Sequence, residues 1–230
     1  MSEGLFRFKA VFFDMDGVIL DSMSQHAALW QELMAGQGFR VSREFILQNE
    51  GALGPEVLES FFREQGLDPS GLVRAQSGMA ELLSRQAGLY LERHAASVRP
   101  FPAAGALVGA LARQGMPTAL VTSSRRALVE RCLEEGLRRS FRAIVTAEDV
   151  ARHKPHPEPY LRAAQDLGQD PAACLVVENA PAGIASARAA GATCYALSTT
   201  LSPPSLSEAH AVFSGLEELA AGLGLDLEAP

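Results

Sequence analysis

The sequence predicts an α/β fold in which a parallel sheet carries helices on both faces and a helical segment is inserted after the first strand. Three observations carry this expectation. Short apolar runs of strand length recur, each ending in small or polar residues. Helix-like stretches separate the later runs, and strands that alternate with helices build parallel sheets covered on both sides. The interval from about 21 to 97 holds no convincing strand, and it is too long for an unstructured loop inside a compact domain.

Taken in order, the first strand is Ala10–Phe13. In the interval that follows, SMSQHAALWQELMAGQG, PEVLESFFREQG and LVRAQSGMAELLSRQAGLYLERH read as helices. Arg99–Pro102, with two prolines, marks the return to the sheet. AAGALVGALARQG is a helix closed by glycine, and Thr118–Val121 is the next strand. SRRALVERCLEEG reads as a helix ending in the same way at Gly136, ahead of the strand Ala143–Val145. Cys174–Val177 is a strand, and APAGIASARAAG a helix with proline near its start and Gly191 at its end. Thr193–Ala196 and Ala211–Phe213 complete the sheet, and the tail GLGLDLEAP reads as frayed. The expected division is residues 1–20 and 98–230 for the sheet core and 21–97 for the insertion.

A chain of 230 residues can bury a sizeable core. Its net charge of −7 argues against broad binding of nucleic acid or anionic membrane, which needs a basic face. An anionic substrate stays open, because a cation or metal reverses the field within one cleft. The cysteines Cys132, Cys174 and Cys194 are widely spaced with no CxxC, and they read as small buried hydrophobes in a reducing compartment. The N-terminus has no signal-like apolar region, and no apolar run reaches the roughly eighteen residues of a membrane span. The expectation is a cytoplasmic protein with no protein partner implied.

Four polar clusters carry the chemistry. In KAVFFDMDGVILDS, Asp14 and Asp16 follow the first strand, and extended residues two apart face the same side. Gly17 permits a turn and a close approach. A calcium loop would need glycine at its sixth position, whereas here it stands fourth. A helix cap would explain one acid but not both. In TALVTSSRR, the hydroxyls of Thr122, Ser123 and Ser124 precede Arg125 at a strand-to-helix turn, which suits an anion. Ser124 as a plain helix cap is the competing reading. In ARHKPHPEPY, prolines close to Lys154 would hold its ammonium in place against phosphate oxygens. In CLVVENAPAGIASARAAG, Glu178 and Asn179 offer oxygens to a hard cation such as Mg2+, with Asn179 as N-cap the alternative. Each cluster ends a strand, where parallel sheets build their sites. Together they supply the nucleophile, acid/base, metal oxygens and cation that phosphoryl transfer needs.

The order of motifs resembles the haloacid dehalogenase-like superfamily, in its β-phosphoglucomutase-like branch, along essentially the whole chain. DMDGV is similar to the first motif of that superfamily, LVTSS to the second, KP to the third and VVENAPAGI to the fourth. The resemblance implies a Rossmann-like catalytic core with an inserted α-helical cap. It implies Asp14 as a nucleophile forming an aspartyl phosphate, and Asp16 as the general acid/base, arriving protonated through a raised pKa. Thr122 and the Ser123 N–H would hold the phosphoryl oxygens, Ser124 would also line the substrate site, and Lys154 would neutralise charge. Mg2+ would sit on Asp14, Asp16, Asn179 and Glu178. The fourth motif commonly carries an Asp where this chain has Asn179, so one negative charge is missing.

Glu50, in the cap loop QNEGALG, is a candidate to replace that charge. His26 resembles a position linked to cap closure in the mutases, and Arg125 one that contacts a distal phosphate. The stretch Glu50–Gly54 contains no cation to hold a second phosphate, which favours hydrolysis over a mutase. The expected function is a Mg2+-dependent phosphohydrolase on a small phosphorylated metabolite, such as a sugar phosphate, or on inorganic pyrophosphate. A phosphosugar mutase is the near alternative. A non-catalytic phosphometabolite-binding protein is the distant one.

Overall fold

The architecture is that of a computed structural model, which describes residues 5–51, 61, 63, 66 and 70–227. Its strands are β1 (Ala10–Phe13), β2 (Thr118–Val121), β3 (Ala143–Val145), β4 (Cys174–Glu178), β5 (Thr193–Leu197) and β6 (Ala211–Phe213). They form one six-stranded sheet in the order β3-β2-β1-β4-β5-β6, parallel throughout. β4 runs one residue beyond its expected end because Glu178 still pairs with Ala196 on β5.

The sheet is buried on both faces, and the alternation along each strand explains why its sequence is apolar without a break. Val11, Phe13, Leu120, Leu175 and Val177 point into one core; Phe12, Ala119, Val121 and Val176 point into the other. The first core is closed by α4 (Ala104–Arg113), α5 (Arg126–Cys132) and α9 (Leu216–Leu223), through residues such as Leu107, Leu128 and Leu219. The second is closed by α7 (Glu158–Asp166) and α8 (Pro181–Ala189), through Tyr160, Ala163 and Ile184. All three cysteines are buried and free. Among the described residues, no helix is long and apolar enough to cross a membrane.

One expected helix is two. The chain is extended at Leu133, and a second helix, α6 (Glu135–Arg139), then contains Gly136. Leu133 is buried in the first core, so anchoring its side chain interrupts the helix before the glycine is reached.

The inserted helices are α1 (Met23–Gly36), α2 (Arg43–Gln48) and α3 (Ser70–Arg93). The second of these was not legible as a separate helix; Ser42 caps it by accepting from the Phe45 N–H at 3.0 Å. PEVLESFFREQG lies largely outside the described residues. Trp30, Met34 and Phe61 gather an apolar cluster of their own with Phe45 and Leu83. The outgoing and returning chains lie side by side: the Asp21 N–H donates to Arg99 O at 3.0 Å and the Phe101 N–H to Ile19 O at 2.9 Å.

Candidate active site

β1 lies between β2 and β4, so its C-terminal end has a neighbouring strand end on either side. Asp14 follows β1 directly, with its N–H donating to Val177 O at 3.0 Å. Its carboxylate is buried, and Oδ1 accepts from Lys154 Nζ at 2.6 Å. Lys154 also donates to Glu178 Oε1 at 2.7 Å and to Val121 O at 3.2 Å. The ammonium thus reaches the ends of β1, β2 and β4 together. Burial opposes its charge, but the Asp14 and Glu178 carboxylates outweigh burial and hold its pKa above the usual lysine range. Burial pushes the Asp14 carboxyl up to about 7; Lys154 resists this, and the Glu178 and Asp16 carboxylates add to it.

Glu178 has a different situation from the one expected of a metal ligand. Oε1 accepts from Lys154 and from the Tyr160 hydroxyl at 2.7 Å, while Oε2 accepts from the Asn179 N–H at 2.9 Å and the Ala180 N–H at 3.4 Å. Both oxygens are occupied by protein donors. Gly183 on α8 makes this seat possible, since a Cβ there would overlap the Glu178 carboxylate.

Asp16 is set in a second network. Its Oδ1 accepts from Ser22 Oγ at 2.7 Å and lies 3.2 Å from His26 Nε2, and its Oδ2 accepts from Ser124 Oγ at 2.9 Å. His26 belongs to α1; its Nδ1 accepts from Gln86 Nε2 at 3.0 Å, which leaves Nε2 to donate to Asp16, and its ring stacks on Tyr90 at 3.8 Å. The raised Asp16 pKa expected from the sequence is not found. Burial does push it up, but His26 and the hydrogen bonds from His26, Ser22 and Ser124 outweigh burial and hold it below the usual carboxylate range.

At the end of β2, Thr122 is buried and its Oγ1 accepts from the Ser124 N–H at 3.0 Å. Ser124 does not cap α5, because its hydroxyl is turned to Asp16; the capping position is Arg125, which makes no side-chain cap. Ser123 Oγ donates to Gly51 O at 3.3 Å, tying the inserted loop to the sheet end. Beside it, Glu50 is half-buried. Its carboxyl is pushed well above the usual range, by burial first and then by the Asp14, Glu178 and Asp16 carboxylates. Ala52, Leu53 and Gly54 of the same loop lie outside the described residues.

Asn179 is buried, and its Nδ2 donates to Thr200 Oγ1 at 3.0 Å. Gly17, at φ +85°, lets the backbone pass this amide; a Cβ there would overlap Asn179 and lie 2.7 Å from Thr200 Oγ1. Among the described residues, Asn179 Oδ1 and Asp14 Oδ2 are two of the few buried polar atoms left without a partner. Two orphaned oxygens, one anionic and one neutral, are the donor type Mg2+ takes, so these residues fit that ion. Asn179 is not the N-cap of α8, which is Ala180.

A cavity of about 310 Å3 opens between the sheet ends and the insertion. Asp16, His26, Glu50, Thr122, Ser123, Ser124 and Arg125 line it, with Arg125 exposed. The structure therefore gathers Asp14, Lys154 and Glu178 in one network, which Asn179 joins through its N–H, and Asp16, His26 and Ser124 in a second; Thr122, Ser123, Glu50 and Arg125 line the cavity, and Asp14, Lys154, Glu178 and Asn179 are not among its lining residues. Ser22, Tyr160, Gln86, Gly183 and Thr200 escaped sequence reading. Ser22, Tyr160 and Gly183 fall inside the quoted motifs, but nothing in those motifs marks which side chains they meet.

The model of the haloacid dehalogenase-like hydrolase family matches residues 8–191. Among curated proteins, the chain is 32% identical over 188 residues to fructose-1-phosphate phosphatase YqaB of Escherichia coli K12, covering 80% of this chain and 94% of that one. It is 30% identical over 216 residues to hexitol phosphatase A of the same organism, covering 93% and 94%. Among solved structures, a hydrolase from Pseudomonas syringae superposes with a TM-score of 0.80 at 24% identity, over 94% of this chain and 97% of that one.

Proposed function

The chain belongs to the haloacid dehalogenase-like hydrolases, and we propose that it is a Mg2+-dependent phosphohydrolase acting on a small phosphate monoester through an aspartyl phosphate at Asp14. One observation carries this reading. Asp14 presents one oxygen to Lys154 and leaves the other buried without a partner, as is the Asn179 side-chain oxygen at the end of the neighbouring strand. A buried carboxylate kept half free in this way suits attack and metal binding better than structure. Asp14 and Asn179, with the Asp16 main-chain carbonyl that the family resemblance implies, would hold the metal. Bound Mg2+ would neutralise the phosphoryl oxygens and the Asp14 carboxylate, lowering the barrier between two anions.

The chain's own groups do the rest. Lys154 places a fixed positive charge at the sheet end, held there by Glu178. Thr122 and the Ser123 N–H, as the family resemblance implies, would orient the phosphoryl oxygens. Attack by Asp14 forms its bond to phosphorus and breaks the ester bond; the leaving oxygen takes a proton from Asp16. Water then attacks the aspartyl phosphate with Asp16 accepting its proton, which regenerates Asp14 and releases phosphate. The donors around Asp16 suit the second half directly. The first half requires a protonated Asp16, so those donors must loosen, and the largest of their contributions comes from His26 on the insertion. This is our basis for reading the insertion as a cap. Glu50 would meet a second phosphate with a carboxyl, which favours hydrolysis over a mutase.

The test is phosphate release from p-nitrophenyl phosphate and acetyl phosphate with and without Mg2+, together with borohydride reduction of the quenched enzyme. Mg2+-dependent release and homoserine at position 14 are expected. Release without Mg2+, or full activity in Asp14→Asn, overturns the corresponding part of the reading.

A further inference from the structure

The two ends of the cavity differ in chemistry. The sheet end is polar, with Asp16, Thr122, Ser123 and Ser124. The wall supplied by the insertion includes Trp30, Met34, Phe45, Phe61 and Leu83. Among the described residues on that side, Glu50 lies towards the sheet end, where it feels the Asp14, Glu178 and Asp16 carboxylates, and three other polar side chains have partners. Asn49 Nδ2 donates to Phe45 O at 2.8 Å, Gln86 Nε2 donates to His26 Nδ1, and His26 faces Asp16. A polyol placed against this wall would give up water for apolar carbon, and each hydroxyl left without a partner costs about 1–3 kcal/mol.

The wall also does not close on itself. An apolar cluster that only stabilised the insertion would pack its interior without voids, yet these residues form one side of a cavity whose whole volume is about 310 Å3. An apolar cavity of about 150 Å3 accepts a benzene ring. The space here therefore holds a phosphoryl group at the polar end and a ring-sized apolar group at the other.

We propose that the site selects phosphate monoesters whose alcohol half is a compact apolar group, aromatic or branched aliphatic, over phosphorylated polyols and over pyrophosphate. This rests on the phosphohydrolase reading above and narrows its substrate class. Trp30, Phe45 and Leu83 would determine specificity by contact with that group, while the sheet end treats every phosphoryl alike.

The experiment compares kcat/KM of the wild-type protein with Mg2+ on benzyl phosphate, sorbitol 6-phosphate and pyrophosphate, with acetyl phosphate as a donor that has no alcohol half. Benzyl and sorbityl oxygens are both primary alkoxides, so their ratio reads recognition more than leaving-group chemistry. Benzyl phosphate is expected to exceed sorbitol 6-phosphate by about tenfold or more, the scale on which an apolar pocket discriminates. Leu83→Asn, at a half-buried position, is expected to shrink that ratio severalfold. Sorbitol 6-phosphate or pyrophosphate matching or exceeding benzyl phosphate overturns the inference and leaves the hydrolase reading intact. An unchanged ratio in Leu83→Asn removes the wall as its cause. No phosphate from any donor, acetyl phosphate included, overturns both and locates the failure in the reaction itself.

Discussion

Lys154 Nζ stands 2.6 Å from Asp14 Oδ1 and 2.7 Å from Glu178 Oε1, with all three side chains buried. One cation thus serves two carboxylates, and the second carboxylate fixes where the first finds its charge partner. Removing the cation leaves two buried acids uncompensated. Lys154→Met should lose stability by about 3–5 kcal/mol, the scale of a broken buried pair. Lys154→Met combined with Glu178→Gln should regain part of that stability without regaining turnover. Thermal denaturation and phosphate release measured on the same samples check both halves.

Two helical glycines should respond in opposite directions. A Cβ at Gly183 overlaps the Glu178 carboxylate, whereas a Cβ at Gly109 in α4 meets only the end of the Arg113 side chain at 3.7 Å. Gly109→Ala should stabilise by about 0.5–1 kcal/mol through helix propensity. Gly183→Ala should destabilise by about 1–3 kcal/mol through overpacking, and also lower activity by displacing the residue that holds Lys154. Urea unfolding midpoints of the two variants provide the comparison.

Asn179→Asp should strengthen the proposed Mg2+ site. The substitution puts a charge where a neutral oxygen now lacks a partner and gives up the Nδ2 bond to Thr200. The metal-free variant should therefore be less stable by about 1–3 kcal/mol, while half-saturation with Mg2+ moves to roughly tenfold lower concentration, about 1.4 kcal/mol. Thermal shift against Mg2+ concentration reads both effects.

Asp149 supplies a pH-dependent brace. Its Oδ2 accepts from the Thr146 N–H at 2.8 Å, Thr146 Oγ1 at 2.6 Å and Arg126 Nη2 at 2.6 Å, joining the end of β3 to the start of α5. Burial opposes ionisation, but the Thr146 and Arg126 interactions outweigh it and hold its pKa below the ordinary 3.8. A carboxyl depressed on folding contributes stability above its unfolded pKa and loses it as pH falls through the folded value. Asp149→Asn should thus cost about 1 kcal/mol at pH 7, and wild type and variant should converge as pH falls below about 3.8, the ordinary value. Chemical denaturation across that range follows the convergence.

The sheet was legible because its strands are buried on both faces, which forces unbroken apolar runs such as AVFF and TALV and makes their polar ends conspicuous. Asp14, Thr122 and Asn179 stood out for that reason, and Lys154 for the prolines around it. What could not be read depends on how the elements pack against one another. Tyr160 reaches Glu178 only because α7 lies against the second core, and Gly183 is required by a carboxylate approaching from β4. The lowered pKa of Asp16 has the same origin. Its identity suggested a proton donor, but two hydroxyls and an imidazole, from the start of α1 and from the end of β2, settle its ground state. Leu133 interrupts a helix that local propensity would have continued to Gly136, because its side chain has a place in the core.

Asp21 and Arg99 are joined by a backbone hydrogen bond although 77 residues separate them. Whatever lies between them leaves and rejoins the protein at a single point, so its length and composition can drift without shifting the register of any strand. Exchanging the inserted helices would replace the wall that meets the ester and keep Asp14, Lys154 and Glu178 in place, but the new helices would have to bring their own partner for Asp16, because His26 belongs to α1.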